Sequence, residues 1–230
     1  METKKSSVNQ IKLNLPESNN YYVEEAFKFL RTNIQFCGSD IKVIAFTSCN
    51  ENEGKSVISL HVAKSLSELG KKVLFMDADM RKSVLARRNT NLKAAPAGLS
   101  ELLSGMVPVN DVMLDTQYPN LQVILSGKYP PNPVELLGSS RFSQVMDVMR
   151  KYYDYVIVDT PPLGTVIDAA VVAAKCDGTI LVISDGKVRA RQAQGVIEQL
   201  EKSHCKILGA VRNKIPKRGK SYYKKGYAYK

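Results

Sequence analysis

The chain has 230 residues, 44% of them hydrophobic, with 33 Lys and Arg against 22 Asp and Glu. That length buries a core without disulfides or metals. The four cysteines (Cys37, Cys49, Cys176, Cys205) have no C-x-x-C spacing, which argues against a zinc site or a disulfide framework and fits a reducing compartment. Residues 214–230 carry seven of the basic side chains and no acid, so the net charge of +11 is largely a property of the end and predicts no nucleic-acid partner for the domain.

Residues 1–20 are polar, with Pro16 near their end, and read as an N-terminal arm. Met1-Glu2-Thr3-Lys4-Lys5 leads into no apolar leader core. No run approaches the roughly 20 apolar residues that span a bilayer. A cytoplasmic protein is expected, reaching the inner face of the membrane only through a partner.

From Val23 to Phe36, apolar residues recur at helical spacing and place Glu25, Lys28 and Arg31 on one face. Strand candidates follow at 43–47, 73–77, 121–125, 155–159, 179–183 and 207–211, as continuous Val/Ile/Leu-rich runs suited to strands covered on both faces. Helical patterns lie between them at about 55–69, 98–104, 135–151, 166–175 and 190–203. The alternation predicts an α/β fold, P-loop NTPase-like, with a mainly parallel central sheet and helices on both faces. The domain is expected to span 21–215, followed by a flexible, low-complexity tail at 216–230.

Three segments at strand ends carry chemistry. Val43-Ile44-Ala45-Phe46 leads into Cys49-Asn50-Glu51-Asn52-Glu53-Gly54-Lys55-Ser56-Val57. This is a phosphate-cradling loop in which Lys55 is placed for the β/γ-phosphates and Ser56 for Mg²⁺. Cys49 stands where the full G-x-x-x-x-G-K-[ST] pattern has glycine. Val73-Leu74-Phe75-Met76-Asp77-Ala78-Asp79-Met80-Arg81 ends one buried run in two carboxylates, and Tyr155-Val156-Ile157-Val158-Asp159 ends another. Carboxylates at buried strand ends are costly unless paired or metal-bound. Together these segments predict a site for ATP and Mg²⁺, with Lys55 at a solvent-facing cradle.

With these residues the chain resembles the bacterial tyrosine kinases. Residues 73–81 look like the Walker A′ motif of that family, 155–162 resemble its Walker B and Gly54-Lys55-Ser56 its Walker A. Gly98–Gly105 and Pro130–Leu137 are also similar to family segments. The likeness is closest to the soluble kinases of Gram-positive capsule and exopolysaccharide systems. It implies that Lys55 and Ser56 bind phosphate and magnesium, that Asp77 and Asp79 assist tyrosine deprotonation and metal binding, and that Asp159 organises the metal's water. It also implies that Asn213 meets the nucleotide base. Glu25, Lys28 and Arg31 resemble a self-association motif, with Lys28 in place of an arginine, which implies a homo-oligomer of the ring kind. The implied partners are a membrane-spanning activator or adaptor protein and a cognate tyrosine phosphatase.

Tyr222, Tyr223, Tyr227 and Tyr229 crowd the last nine residues, where there is nothing to bury them against. They are candidate phosphoacceptors; a basic-aromatic tail for nucleic acid or anionic lipid is the blander reading. Each phosphotyrosine adds about −1.5 to −2 charges, so modification of all four nearly cancels the tail's charge. Two other readings of the whole chain stay open. One is a dimerising ATPase of the MinD/ParA kind, which usually carries an extra lysine early in the loop, where this chain has Ser48-Cys49-Asn50-Glu51. The other is a nucleotide-binding adaptor with little turnover.

Overall fold

The computed structural model describes residues 10–15, 21–83, 85, 90, 92 and 96–216. The six apolar runs form β2 (Val43–Ser48), β3 (Val73–Asp77), β5 (Leu121–Ile124), β6 (Tyr155–Asp159), β7 (Gly178–Ser184) and β8 (Ile207–Asn213). Two short strands that the hydropathy pattern does not announce complete the sheet: β1 (Gln10–Ile11) and β4 (Leu114–Thr116). The sheet has eight strands in the order β1-β4-β5-β3-β6-β2-β7-β8. Every pairing between named strands is parallel except β4 with β5. The expected architecture therefore holds, with one hairpin near its edge.

Part of the expected N-terminal arm belongs to the domain. Ile11 and Leu13 are buried in the core, and Gln117 ties down Leu13 through both backbone groups, accepting from its N–H (2.8 Å) and donating to its carbonyl (2.6 Å). Two apolar side chains spaced by one residue suffice for an edge strand, too short a pattern to stand out from polar neighbours.

The helices are α1 (Tyr21–Phe36), α2 (Lys55–Ser67), α3 (Leu99–Leu103), α4 (Val109–Val112), α5 (Pro133–Gly138), α6 (Ser140–Tyr152), α7 (Asp168–Ala173) and α8 (Ala190–Lys202). The single helix expected over 135–151 breaks at Ser139, whose backbone is extended and whose Oγ accepts from Phe142 N at 3.2 Å. A serine cap thus starts α6 where apolar spacing alone reads straight through.

The helices cover both faces of the sheet. One core joins Phe46, Phe75 and Ile157 to α2 and to Ile34 of α1, and the other joins Leu74, Met76 and Val158 to Leu137, Phe142 and Met146 of α5 and α6. A third cluster joins Leu181 of β7 to α7 and α8. Since α2 lies between the sheet and α1, it is buried on most sides. The order β3-β6-β2-β7 puts the chain's crossover reversal at β2, so the carboxyl ends of β2, β6 and β3 open on one crevice. That is where parallel α/β sheets hold ligands.

Candidate active site

Register brings the three sequence segments together. Asp77 on β3 and Asp159 on β6 are direct partners in the parallel ladder, and Asp159 also lies opposite Phe46 of β2, three residues before the phosphate loop begins at Cys49. The loop strand is fastened to the strand β6 side, with Leu163 N donating to Ser48 O (2.9 Å) and Thr47 Oγ1 donating to Pro161 O (3.0 Å).

The loop from Cys49 to Gly54 has unusual chemistry for a phosphate cradle, yet it closes. Cys49 is fully buried in the cluster with Leu163 and Ala169, and its N–H donates to Glu53 Oε2 at 3.0 Å. Its φ is not among the positive values, so the glycine of the full pattern is not required for backbone reasons at this position. Burial first, and then Glu53, pushes the Cys49 thiol up to about 11, which makes it a packing group. Asn52 supplies the left-handed turn at φ 60, a conformation that asparagine tolerates. Gly54 supplies the second at φ 96, and a Cβ there would lie 2.2 Å from Asn213 Nδ2.

Neighbouring elements brace the loop. Asn213, at the end of β8, donates to Glu53 O at 2.8 Å, and Lys214 donates to Asn52 O. Gln192 of α8 donates to Asn50 Oδ1 at 2.6 Å. Asn50 in turn donates to Glu53 Oε1 at 3.2 Å. Ser56 and Val57 open α2, with Val57 at its exposed surface.

Lys55 does not face solvent. It is buried, with its Nζ 3.2 Å from Asp79 Oδ2, 3.6 Å from Asp159 Oδ2 and 3.3 Å from Ser56 Oγ. The burial has a physical cause: with β3 and β6 adjacent, three acidic side chains converge beneath the loop, and one ammonium on a flexible stem is drawn in to offset them. Burial is the largest single influence on Lys55 and lowers its pKa, but Asp159, Asp79 and Asp77 together outweigh it, so the ammonium stays charged. Burial first, and then the neighbouring Asp159, pushes Asp77 up to about 8. Asp159 is also raised, mainly by burial, against the pull of Lys55. Asp77 accepts from Asp79 N at 3.1 Å and from the Ser83 hydroxyl, and Asp159 accepts from Ser59 Oγ at 3.4 Å.

Two ties escape sequence reasoning. Arg81, which closes the Asp77-x-Asp79-x-Arg81 run, forms a two-point pair with the fully buried Asp168 of α7 at 2.8 and 3.1 Å. Lys82 pairs with Glu51 of the phosphate loop at 2.6 Å. Partners so far apart in the chain leave no local pattern. On α1, Lys28 pairs with Glu25 at 2.8 Å, whereas Arg31 turns to α2 and donates to Ser65 O and Oγ, both at 3.1 Å. The expected charged face is thus divided: Glu25 and Lys28 lie outside and Arg31 is engaged within the chain. Tyr222, Tyr223, Tyr227 and Tyr229 lie outside the described residues.

The donor set fits a nucleotide carrying its own magnesium better than a resident metal. Among the described residues no three His, Cys, Asp or Glu side chains are arranged to hold a metal ion. Magnesium held by one or two carboxylates plus phosphates needs no such cage. The loop backbone at a helix N-terminus, with Gly54 permitting close approach, is the matching anion site. Among the described residues no helix is long and apolar enough to cross a membrane.

Comparison with known proteins gives the family and agrees with the fold. The AAA domain family matches residues 41–207. The tyrosine-protein kinase CpsD of Streptococcus agalactiae is 42% identical over 194 residues, covering 84% of this chain and 83% of that protein. Among solved structures, the chimerical protein CapA2B2 superposes with a TM-score of 0.81 at 30% identity, covering 91% of this chain and 95% of that one. The kinase domain of the Escherichia coli tyrosine kinase ETK gives 0.79 at 33% identity, covering 90% and 79%. With its parallel sheet, its phosphate loop and the carboxylates of β3 and β6 grouped around Lys55, the chain belongs to the bacterial tyrosine-protein kinases.

Proposed function

We propose that this kinase uses ATP and Mg²⁺ to phosphorylate Tyr222, Tyr223, Tyr227 and Tyr229 of a second copy of itself, and that the tail's modification state regulates capsular or extracellular polysaccharide synthesis and export. The observation that carries the reading is the convergence of Lys55, Asp79 and Asp159 from three separate elements beneath a braced phosphate loop.

Residues 49–57 line the phosphate site, Cys49 through the bond that fixes Glu53 and the residues after it through backbone N–H groups, with Lys55 at the terminal phosphates. Ser56 and Asp77 would hold the magnesium, Asp159 would order its water, and Asn213 would border the base. Magnesium, when bound, neutralises charge on the phosphates. The chain's own contribution is positioning and charge. Tyrosine's reference pKa is near 10, so a carboxylate must share its proton during transfer. Asp77 ends β3 beside Asp159, at the crevice where the terminal phosphate is proposed to lie. Asp77 is therefore the first candidate acceptor of that proton and Asp79 the second.

A cytoplasmic chain of this kind takes its membrane address from a membrane-spanning activator of the polysaccharide co-polymerase type, and a cognate phosphatase resets the tail. Copies would assemble through α1, where Glu25 and Lys28 are exposed, and so allow transfer between chains. The absence of a lysine at residues 48–51 weighs against a dimerising ATPase of the MinD/ParA kind. The test mixes an inactive Lys55→Met chain, tail intact, with an active chain whose four tail tyrosines are Phe. Phosphate on the Lys55→Met tail supports transfer between copies; an unmodified tail, with activator present, refutes it.

A further inference from the structure

Lys82 and Glu51 form an ion pair with no evident structural purpose. Both side chains are largely exposed, Lys82 at 69% and Glu51 at 43%. A pair so placed contributes little to folding. Its location is more informative than its strength. Glu51 lies within the phosphate loop that follows β2, while Lys82 sits on the turn that follows Asp77 and Asp79.

The turn is fixed at its base. Lys82 N donates to Asp79 Oδ1 at 3.0 Å, and Lys55 Nζ donates to Asp79 Oδ2 at 3.2 Å. Lys55 and the Lys82 backbone thus grip the two oxygens of one carboxylate. The Lys82 ammonium, on a flexible four-carbon stem, thus spans from this turn to Glu51 of the phosphate loop. The loop's other acid, Glu53, is buried and committed to Cys49 N and Asn50 Nδ2. Glu51 is therefore the exposed acid of the phosphate loop, and an anion there repels a polyphosphate unless a cation covers it.

We infer that Lys82 is a second phosphate-contacting lysine of the nucleotide site, held on Glu51 until the terminal phosphate of a nucleoside triphosphate takes Glu51's place. The inference rests on the nucleotide reading given above. It deepens that reading by assigning discrimination between triphosphate and diphosphate to a side chain outside the phosphate loop. Exchange of one oxyanion for another leaves Lys82 charged and paired in both states, so the step requires no change in the fold.

The test measures Mg-ATP and Mg-ADP affinity of the full chain by titration calorimetry, for wild type, Lys82→Met, Lys82→Arg and Glu51→Gln. Lys82→Met is expected to weaken ATP about ten-fold and ADP less than about two-fold, since only ATP carries the contacted group. Lys82→Arg keeps the charge and is expected to retain most of the discrimination. Glu51→Gln frees Lys82 and removes a repelling anion, so ATP is expected to bind more tightly. Equal losses for ATP and ADP in Lys82→Met, or weaker ATP binding in Glu51→Gln, overturn the inference while leaving the nucleotide site in place. Failure of the wild-type chain to bind either nucleotide overturns the nucleotide reading and this inference with it.

Discussion

Replacing Asp77 with Asn is expected to make the nucleotide-free protein more stable at alkaline pH while removing its kinase activity. Asp77 is 1% exposed, lies beside Asp159 in the ladder, and has its pKa pushed up to about 8 by burial and then by that neighbour. In the unfolded chain the same group titrates near 3.8. A carboxylate raised on folding holds its proton more tightly in the folded state, so the stability it contributes is lost as pH rises from 3.8 through about 8. Between about pH 5.5 and about pH 9 the unfolded chain stays ionised while the folded one gives up its proton, a loss of about 3 kcal/mol at about 1.4 kcal/mol per unit. At this chain length that corresponds to a fall in Tm of about 6–12 °C. The asparagine amide keeps the bond from Asp79 N through its oxygen and donates to the Ser83 hydroxyl, so it replaces the protonated acid closely. Thermal unfolding of both proteins across this range, without nucleotide or magnesium, reads the difference. The two Tm curves are expected to lie close at low pH and to separate by that amount at high pH. Parallel curves would refute the argument that Asp77 is a buried acid that holds its proton in the folded protein.

Three further outcomes follow from the same geometry. Lys55→Met leaves Asp79 and Asp159 without their shared cation, so besides losing phosphoryl transfer it is expected to lose about 3–5 kcal/mol in urea unfolding at neutral pH. A protein as stable as wild type would mean that Lys55 is solvated. Gly54→Ala places a methyl 2.2 Å from Asn213 Nδ2 at a φ of 96 and is expected to weaken ATP about ten-fold or more in a fluorescence titration, because the Asn213 brace must give way. Arg81→Lys keeps the charge but loses the two-point grip on Asp168, and is expected to cost about 2–3 kcal/mol in denaturant and to reduce kcat more than the KM for ATP.

The parts of the molecule legible in the sequence are those whose signal is local. The runs ending in Asp77 and Asp159 announce themselves as buried strands because both faces are covered and every residue is apolar until the carboxylate. Gly54-Lys55-Ser56 marks the start of a helix at the phosphate site for an equally local reason. The hairpin partner Leu114–Thr116 and the edge strand Gln10–Ile11 are too short for periodicity to register. The break at Ser139 is hidden because a serine cap does not interrupt apolar spacing. The order of strands is decided by pairing between distant segments, and with it the burial of Lys55 and the pairs Arg81–Asp168, Lys82–Glu51 and Arg31–Ser65. Cys49 illustrates the limit in the other direction: the pattern marks it as a defect in the loop, while its backbone needs no glycine and its side chain packs in the core.

The most direct test of the account is site-resolved mass spectrometry of the purified full chain after incubation with ATP and Mg²⁺ in the presence of its membrane activator. Phosphate on Tyr222, Tyr223, Tyr227 and Tyr229, absent from the Asp77→Asn protein, is the predicted result. An unmodified tail, or tail phosphorylation that persists in Asp77→Asn, would contradict it.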